Sequence, residues 1–208
     1  MHRILLVDDH AVVRRGVRAI LEDRVAGIEV IEAGTGEEAL QVLDSSFHAV
    51  ILDLTMPGRS GFDLLAEIKH REPKLPVLIM SLHAEDQYAL RALRAGAAGY
   101  LTKSAAPEQL VLAVTKIMKG GRYVSDAVAE RLAADAVGAG VTSRHERLSD
   151  REFDVMRGIA AGNSVSEIAA QMHLSVKTVS TYRTRLLEKM GMSNNSELTR
   201  YALEHGLV

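Results

Sequence analysis

Cysteine is absent from this chain of 208 residues. Disulfides, thiolate catalysis and zinc sites with cysteine ligands are therefore excluded. Long apolar runs are absent as well, since the first run, residues 4–7, ends at Asp8. A signal peptide needs a longer apolar stretch, and a membrane span needs one longer still. Together with 47% apolar and 25% charged residues, this predicts a globular, cytoplasmic protein with no membrane partner.

A strong excess of charge of one sign is also absent, because the net charge is only −2. Residues 1–140 contain 16 Lys and Arg against 19 Asp and Glu, whereas residues 141–208 contain 9 against 8. Four basic side chains accompany one acidic side chain, Glu188, in the short stretch 175–189: Lys177, Arg183, Arg185 and Lys189. Such a cluster can bind phosphates or can be an ordinary solvated helix face.

The first 120 residues alternate short apolar runs with helical patterns. The strand candidates are residues 4–7, 29–31, 50–52, 77–80 and 99–101. Apolar residues at helical spacing occupy residues 12–21, 36–43, 61–68, 88–95 and 108–118. The strand runs do not alternate with polar residues, which is typical of a parallel sheet covered on both faces. Five such units predict a doubly wound α/β domain with a five-stranded parallel sheet.

The last 61 residues, 148–208, have no strand pattern and predict an all-α domain of four helices. Ser149 followed by Glu152 is a capping box that opens the first helix, and Ser175 caps the third. A helix-compatible stretch, residues 125–136, precedes a small polar segment that contains Gly138 and Gly140. We therefore expect a domain over residues 1–121, a linker with a helix over 122–147, and a second domain over 148–208.

Reactive or polar side chains follow four of the predicted strands. Asp8 and Asp9 follow the first strand, Asp53 the third, Ser81 the fourth, and Lys103 lies just past the fifth. Ligands bind at the carboxyl ends of the strands in open α/β sheets, so these side chains should converge. Crowded carboxylates need a cation, and oxygen ligands with room for waters favour Mg²⁺. Asp53 would then attack phosphorus and form an acyl phosphate.

Simpler explanations exist for each residue alone, such as a helix N-cap for Asp8 or Asp9 and a solvated turn for Asp53. A haloacid-dehalogenase-type phosphatase also uses a strand-end aspartate and Mg²⁺. It places its nucleophile after the first strand in an Asp-x-Asp arrangement, whereas the pair here is adjacent and Asp53 follows the third strand. A flavodoxin-type cofactor site is disfavoured, because no phosphate-cradling loop follows the first strand.

Residues 3–121 resemble the receiver domain of bacterial response regulators. The resemblance is carried by Asp8-Asp9, by the segment Asp53-Leu-Thr-Met-Pro57-Gly, by Ser81, and by the run Ala95-Gly-Ala-Ala-Gly-Tyr-Leu-Thr-Lys103. It implies a flavodoxin/CheY-like fold, with Asp53 as the phosphoacceptor. It also implies that Mg²⁺ is bound by Asp9, Asp53 and the Thr55 carbonyl, with Asp8 acting mainly through water.

The same resemblance assigns three further roles. Ser81 and Lys103 would contact the phosphoryl group. Tyr100 would be a switch aromatic whose rotamer follows phosphorylation, unless it simply packs at the sheet edge. Thr55 and His83 would tune dephosphorylation.

The second and third C-terminal helices, joined at residues 173–175, are similar to a helix-turn-helix, whose second helix enters the major groove of DNA. The segments Leu148-Ser-Asp-Arg-Glu152, Ile168-Ala169 and Leu174-Ser-Val-Lys-Thr-Val-Ser-Thr-Tyr182 resemble the LuxR-type DNA-binding domain. Ser180 departs from that pattern, since many members carry Lys there. The implied DNA-binding residues are Lys177, Thr178, Ser180, Thr181, Arg183, Thr184 and Arg185.

The two resemblances together identify the chain as a member of the NarL/FixJ class of transcriptional response regulators. This implies a non-enzyme in which a sensor histidine kinase phosphorylates Asp53 and so controls homodimerisation and binding to double-stranded promoter DNA. RNA polymerase is a further candidate partner. A helical protein-interaction module, or an output through protein or RNA, remains the alternative. The last helix, residues 195–204, is either a dimer face or ordinary packing, and the linker helix either positions the domains or is a passive spacer.

Overall fold

The computed structural model describes residues 1–56, 60–82, 85–136 and 143–208. Pro57, His83 and the linker glycines Gly138 and Gly140 lie outside the described residues. The chain divides into two compact units, Met1–Ala139 and Gly140–Val208. The limits expected at residues 121 and 148 stay predictions.

The first unit is built on the predicted parallel sheet. Its strands are β1 His2–Val7, β2 Ile28–Ala33, β3 Phe47–Leu52, β4 Val77–Ser81 and β5 Gly99–Thr102. They are arranged in the order β2-β1-β3-β4-β5, and every neighbouring pair is parallel. The last four residues of β1 and of β3 are fully buried. This explains why the strand sequences are apolar without alternation.

Helices follow the strands. They are α1 Ala11–Arg24, α2 Gly36–Val42, α3 Gly61–Arg71, α4 Glu85–Arg94, α5 Pro107–Met118 and α6 Asp126–Ala136. The fold class predicted from the apolar pattern is confirmed. Leu21 of α1 and Ile117 of α5 are fully buried in one core cluster with Ile4 and Ile51 of the sheet.

The edge of the sheet beside β5 is covered by the start of the linker. The backbone N–H of Tyr123 donates to the carbonyl of Ala98 at 3.0 Å, and Tyr123 O accepts from Tyr100 N at 3.1 Å. A side chain at Gly99 would lie 2.6 Å from Tyr123 O, so only glycine permits this approach. The following helix, α6, packs against α4, and its Val128 is 3% exposed. The expected linker helix is therefore part of the first unit.

The second unit is helical. A 3-10 turn over Arg144–Arg147 precedes α7 Asp150–Ala160, α8 Val165–Gln171, α9 Val176–Met190 and α10 Asn195–Glu204. The Ser149 and Glu152 capping box and the Ser175 cap are present as predicted. Gly191 ends α9 in the left-handed conformation, with φ 64°. Among the described residues of both units, no helix is long and apolar enough to span a bilayer.

Candidate functional site

The carboxyl ends of the strands bring the predicted acidic residues together. Asp8 directly follows β1 and Asp53 directly follows β3, and these strands are neighbours in the sheet. The backbone N–H of Asp53 donates to the carbonyl of Val7 at 2.9 Å, which extends the parallel register to the aspartates. Asp8 and Asp53 are almost completely buried. Two buried carboxylates at adjacent strand ends require positive charge nearby.

Lys103 supplies that charge. Its Nζ donates to Oδ2 of Asp53 at 2.7 Å and lies 2.6 Å from Oδ2 of Asp8. The contact with Asp8 is an ion pair without the alignment of a hydrogen bond. The Lys103 side chain is only 6% exposed, so water screens these contacts weakly. One ammonium group therefore bridges the two carboxylates on the Oδ2 side.

Burial and pairing act in opposite directions on these groups. Burial raises the pKa of Asp53 above its usual range, and the hydrogen bonds from Lys103 and Thr55 offset this only in part. Burial lowers the pKa of Lys103, but its contacts with the carboxylates of Asp53 and Asp8 outweigh this effect, so the pKa is raised. Lys103 thus remains a cation beside Asp53.

The carboxylates also fit a divalent cation. Asp8, Asp9, His10 and Asp53 each offer one ligand atom, and these atoms lie within 4.8 Å of one another. Oδ2 of Asp8 and Oδ1 of Asp9 are buried and have no hydrogen-bond partner among the described residues. Hard carboxylate oxygens suit Mg²⁺. Receiver domains generally bind Mg²⁺ in such an acidic pocket.

Thr55 lies beside Asp53, as the predicted ligand set requires. Its backbone N–H donates to Oδ1 of Asp53 at 3.0 Å, which fixes the orientation of that carboxylate. Asp8 and Asp9 are not the N-cap of α1, because that position is occupied by His10. A capping role therefore does not explain these two aspartates. Asp8 Oδ1 instead accepts from the backbone N–H of His10 at 2.8 Å.

Ser81 and Tyr100 lie in the interior beside the pocket. Ser81 is the last residue of β4, and Tyr100 lies in β5; both are fully buried. The backbone N–H of Lys103 donates to the carbonyl of Ser81 at 2.8 Å. Tyr100 is not on an open sheet edge, because the backbone of Tyr123 pairs beside it.

Two residues near the pocket had no predicted role. His10 follows Asp9, and its Nδ1 lies 2.8 Å from Asp9 Oδ1. Arg14 of α1 donates from Nη1 to the carbonyl of Asp8 at 2.7 Å and pairs through Nε with Glu32 at 3.1 Å. The Asp-Asp-His adjacency was visible in the sequence, whereas nothing in the sequence links Arg14 to Glu32.

The second candidate site is the exposed face of α9. Val179, Leu186 and Met190 are buried, and the helix contacts α7 and α8. At 3.6 residues per turn, five of the predicted DNA-binding residues fall within about 140° of the helix surface. These exposed residues are Lys177, Ser180, Thr181, Thr184 and Arg185. The helix-turn-helix arrangement is therefore present, with the chemistry on its outer face.

Several of the predicted DNA-binding side chains already have partners within the unit. Thr181 and Thr184 donate their hydroxyls to the carbonyls of Lys177 and Ser180, at 3.0 and 3.1 Å. Arg183 lies at the border of the exposed face and donates from Nε to Asn195 Oδ1 at 2.7 Å. The side chain of Thr178 contacts the cap residue Ser175 at 2.8 Å between their hydroxyl oxygens.

By contrast, the side chains of Lys177, Ser180 and Arg185 make no polar contact with any other described residue. They are thus available to DNA without losing an internal bond.

An acidic strand-end pocket on one unit and a helix-turn-helix on the other define a phosphorylation-dependent DNA-binding regulator as the class of protein. Comparison with known proteins agrees. Residues 4–115 match the family "Response regulator receiver domain", and residues 146–202 match "Bacterial regulatory proteins, luxR family". The receiver domain implies a histidine kinase partner, and the LuxR-type domain implies DNA binding.

Similar proteins span the whole chain. "Response regulator UvrY" of Escherichia coli K12 is 38% identical over 210 residues, covering 100% of this chain and 96% of that protein. "Transcriptional activator protein ExaE" of Pseudomonas putida is 39% identical over 209 residues, covering 99% and 97%. The structure of RcsB from Salmonella enterica serovar Typhimurium, bound to promoter rprA with phosphomimetic BeF3−, has 27% identity and a TM-score of 0.64 over 96% of this chain and 97% of that chain.

The chain belongs to the NarL/FixJ class of two-component response regulators, which combine a receiver domain with a LuxR-type DNA-binding domain. The names of these relatives, a response regulator and a transcriptional activator, describe a regulatory role.

Proposed function

We propose that Asp53 accepts a phosphoryl group in the presence of Mg²⁺ and that this modification controls homodimerisation and promoter binding by α9. The observation that carries the proposal is the convergence of Lys103, Asp8 and Asp53 within 2.6–2.7 Å contacts at buried strand ends. The promoter-bound RcsB structure, obtained with a phosphomimetic, supports the link between the two domains.

Asp53 would perform the transfer through one carboxylate oxygen. That oxygen bonds to phosphorus while the bond from phosphorus to the donor breaks, which leaves an acyl phosphate on Asp53. Lys103 would hold the transferred group electrostatically, and the hydroxyl of Ser81 would contact it. Asp8, Asp9, Asp53 and the Thr55 carbonyl would hold Mg²⁺, whose contribution when bound is to neutralise the phosphoryl oxygens.

The phosphoacceptor assignment has a direct test. The full chain is incubated with a small-molecule phosphodonor and Mg²⁺, and acid-labile phosphate is measured. Wild type and Asp23→Asn, which changes an exposed carboxylate of α1, should be labelled equally, whereas Asp53→Asn should not be labelled. Labelling of Asp53→Asn at the wild-type rate would overturn the assignment.

The signal would leave the pocket through β5. Tyr100 and Lys103 flank the end of this strand, and the backbone of Tyr100 is hydrogen-bonded to Tyr123 at the start of the linker. The linker helix α6 packs on α4, and α4 also contacts β5, so a change at the β5 edge would reach α6 through α4. We propose that this is how phosphorylation alters the linker, which would make the linker more than a passive spacer.

Pairing of two copies would use α10. Its Leu203 is 63% exposed and lies in a shallow groove with Thr199 and Arg200. A two-fold dimer matches two half-sites about one helical turn apart, which a monomer cannot do. Leu203→Asp should therefore weaken binding to a two-site promoter fragment while binding to a single half-site stays unchanged.

The main DNA contacts would come from the side chains of α9 that have no polar contact within the unit. Lys177→Ala and Arg185→Ala should each lower the salt slope of promoter binding by about one, because each removes one phosphate contact. Lys119→Ala in the receiver is the charge-matched control and should leave the slope unchanged. An unchanged salt slope in both α9 variants would refute the proposed DNA interface on α9. Tighter binding to RNA than to duplex DNA would favour the alternative of an RNA-binding output.

A further inference from the structure

His10 brings an imidazole to the acidic pocket. It is the N-cap residue of α1 and directly follows the Asp8-Asp9 pair. Its side chain is 57% exposed, so it can move toward a ligand without disrupting the core. Its Nδ1 atom is nevertheless directed into the pocket, where it meets two carboxylates.

The distances around Nδ1 match those between ligands of one metal ion. Nδ1 lies 2.8 Å from Oδ1 of Asp9 and 3.3 Å from Oδ1 of Asp8. Ligands at about 2.1 Å in neighbouring octahedral positions are about 3 Å apart. The short contact to Asp9 is not a hydrogen bond, since Oδ1 of Asp9 is buried and has no hydrogen-bond partner among the described residues. Hydrogen bonding therefore accounts for the 3.3 Å contact with Asp8 but not for the closer approach to Asp9.

The ammonium group of Lys103 contacts other oxygen atoms of the pocket. Lys103 contacts the Oδ2 atoms of Asp8 and Asp53, whereas His10 contacts the Oδ1 atoms of Asp8 and Asp9. A nitrogen ligand on the Oδ1 side would therefore not displace Lys103 from the Oδ2 side.

We propose that His10 supplies a nitrogen ligand to the divalent cation of this pocket, which makes the site selective for Mn²⁺ over Mg²⁺ compared with its carboxylates alone. This inference rests on the proposed metal-binding role of the pocket. Imidazole suits transition metals, whereas Mg²⁺ prefers oxygen ligands and keeps its waters. An oxygen-only pocket would discriminate less between the two ions.

The test uses the full chain with Mn²⁺ and Mg²⁺ as probes. Mn²⁺ affinity is measured from the electron paramagnetic resonance of free Mn²⁺, and Mg²⁺ affinity by competition. Pulsed measurements on bound Mn²⁺ report nitrogen-14 coupling. His10→Ala should weaken Mn²⁺ binding about tenfold, change Mg²⁺ binding less than about threefold and abolish the nitrogen coupling. His70→Ala, which removes an exposed imidazole from the last turn of α3, should behave as wild type.

Each possible outcome is decisive. Loss of the coupling and of the Mn²⁺ preference in His10→Ala alone supports the inference. An unchanged preference in that variant, or no coupling in wild type, overturns it. Asp9→Asn separates the inference from its foundation: if this variant binds both ions as wild type does, the pocket is not a metal site and the proposed metal role fails as well. If Asp9→Asn loses both ions while His10→Ala keeps its preference, only the inference about His10 is wrong.

Discussion

Replacement of Glu152 by Gln should weaken the second unit at neutral pH and have little effect at acid pH. The Glu152 side chain is only 4% exposed. Its Oε2 atom accepts hydrogen bonds from Lys189 Nζ and from the backbone N–H of Ser149, each at 2.7 Å. Gln has nearly the same shape and can still accept from Ser149, so the capping box survives. What the substitution removes is the negative charge that faces Lys189.

The magnitude follows from the exposure of the two partners. Removing one partner from a fully buried ion pair costs about 3–5 kcal/mol, whereas exposed pairs contribute about 0–1 kcal/mol. Glu152 is buried, but Lys189 is 44% exposed, so water can solvate the ammonium that is left behind. We therefore expect Glu152→Gln to lower the unfolding free energy of the second unit by an intermediate amount, about 1–2 kcal/mol at pH 7.

The dependence on pH has a definite sign. Burial raises the pKa of Glu152, but the hydrogen bonds from Lys189 and Ser149 outweigh it, so the pKa in the folded state lies below its usual range. A carboxylate with a depressed pKa contributes its full stabilisation above the unfolded pKa, about 4.3, and loses it as the pH falls through the folded pKa. The difference in stability between wild type and Glu152→Gln should therefore shrink as the pH falls from the unfolded pKa through the folded pKa of Glu152.

Hydrogen exchange of α7 and α9 amides in the full chain, corrected for intrinsic rates at each pH, measures the opening free energy of this unit separately from the receiver. Glu167→Gln is the matched control, because Glu167 occupies the same capping-box position on α8 but is exposed and has no lysine partner among the described residues. A Glu152→Gln deficit that stays constant from pH 7 to pH 3, or that Glu167→Gln reproduces, would refute the reasoning.

Four further predictions concern backbone positions. Gly99→Ala should destabilise the receiver by about 1–3 kcal/mol and accelerate hydrogen exchange in α6, because its Cβ would lie 2.6 Å from Tyr123 O. Gly16→Ala, with open space in the middle of α1, should stabilise the receiver by about 0.5–1 kcal/mol in a denaturant titration. His173 has φ 54°, so His173→Val should cost about 1–2 kcal/mol while His173→Asn stays near wild type in thermal unfolding. Gly61→Ala places a Cβ 2.7 Å from the Asp53 carbonyl and should slow phosphorylation at least about tenfold, because a small misplacement of a reacting group is costly; a wild-type rate of acid-labile labelling would contradict this.

Much of the acidic pocket could be predicted because parallel topology determines it. Once alternating strands and helices are recognised, the strand ends must lie on one edge, and Asp8, Asp53 and Lys103 follow without knowledge of side-chain contacts. The helix caps were equally accessible, since Ser149 and Ser175 act through backbone groups within three residues of their own positions. These features depend on local sequence or on topology alone.

Features that depend on contacts between distant residues could not be predicted. The pairing of Tyr123 with β5 involves a single residue and leaves no periodic pattern. The hydrogen bond from Arg183 to Asn195 depends on how α10 packs, and it changes the interpretation of Arg183. The Nη groups of this arginine can contact a phosphate while Nε holds Asn195, so its substitution would disturb α10 as well as any phosphate contact.

The arrangement around Lys103 also suggests why one phosphoryl group on Asp53 could alter the whole receiver. Lys103 bridges two carboxylates that belong to neighbouring strands, so it balances Asp8 and Asp53 at the same time. An added phosphoryl group would place more negative charge on Asp53 alone, and the ammonium could no longer serve both partners equally. Lys103 is hydrogen-bonded through its backbone to Ser81, and it follows the strand whose Tyr100 is hydrogen-bonded to the linker. A shift of the Lys103 side chain would therefore act on β4, on β5 and, through Tyr123, on the segment that leads to the DNA-binding unit. Gly99→Ala tests this route, because it separates Tyr123 from β5 without touching the pocket.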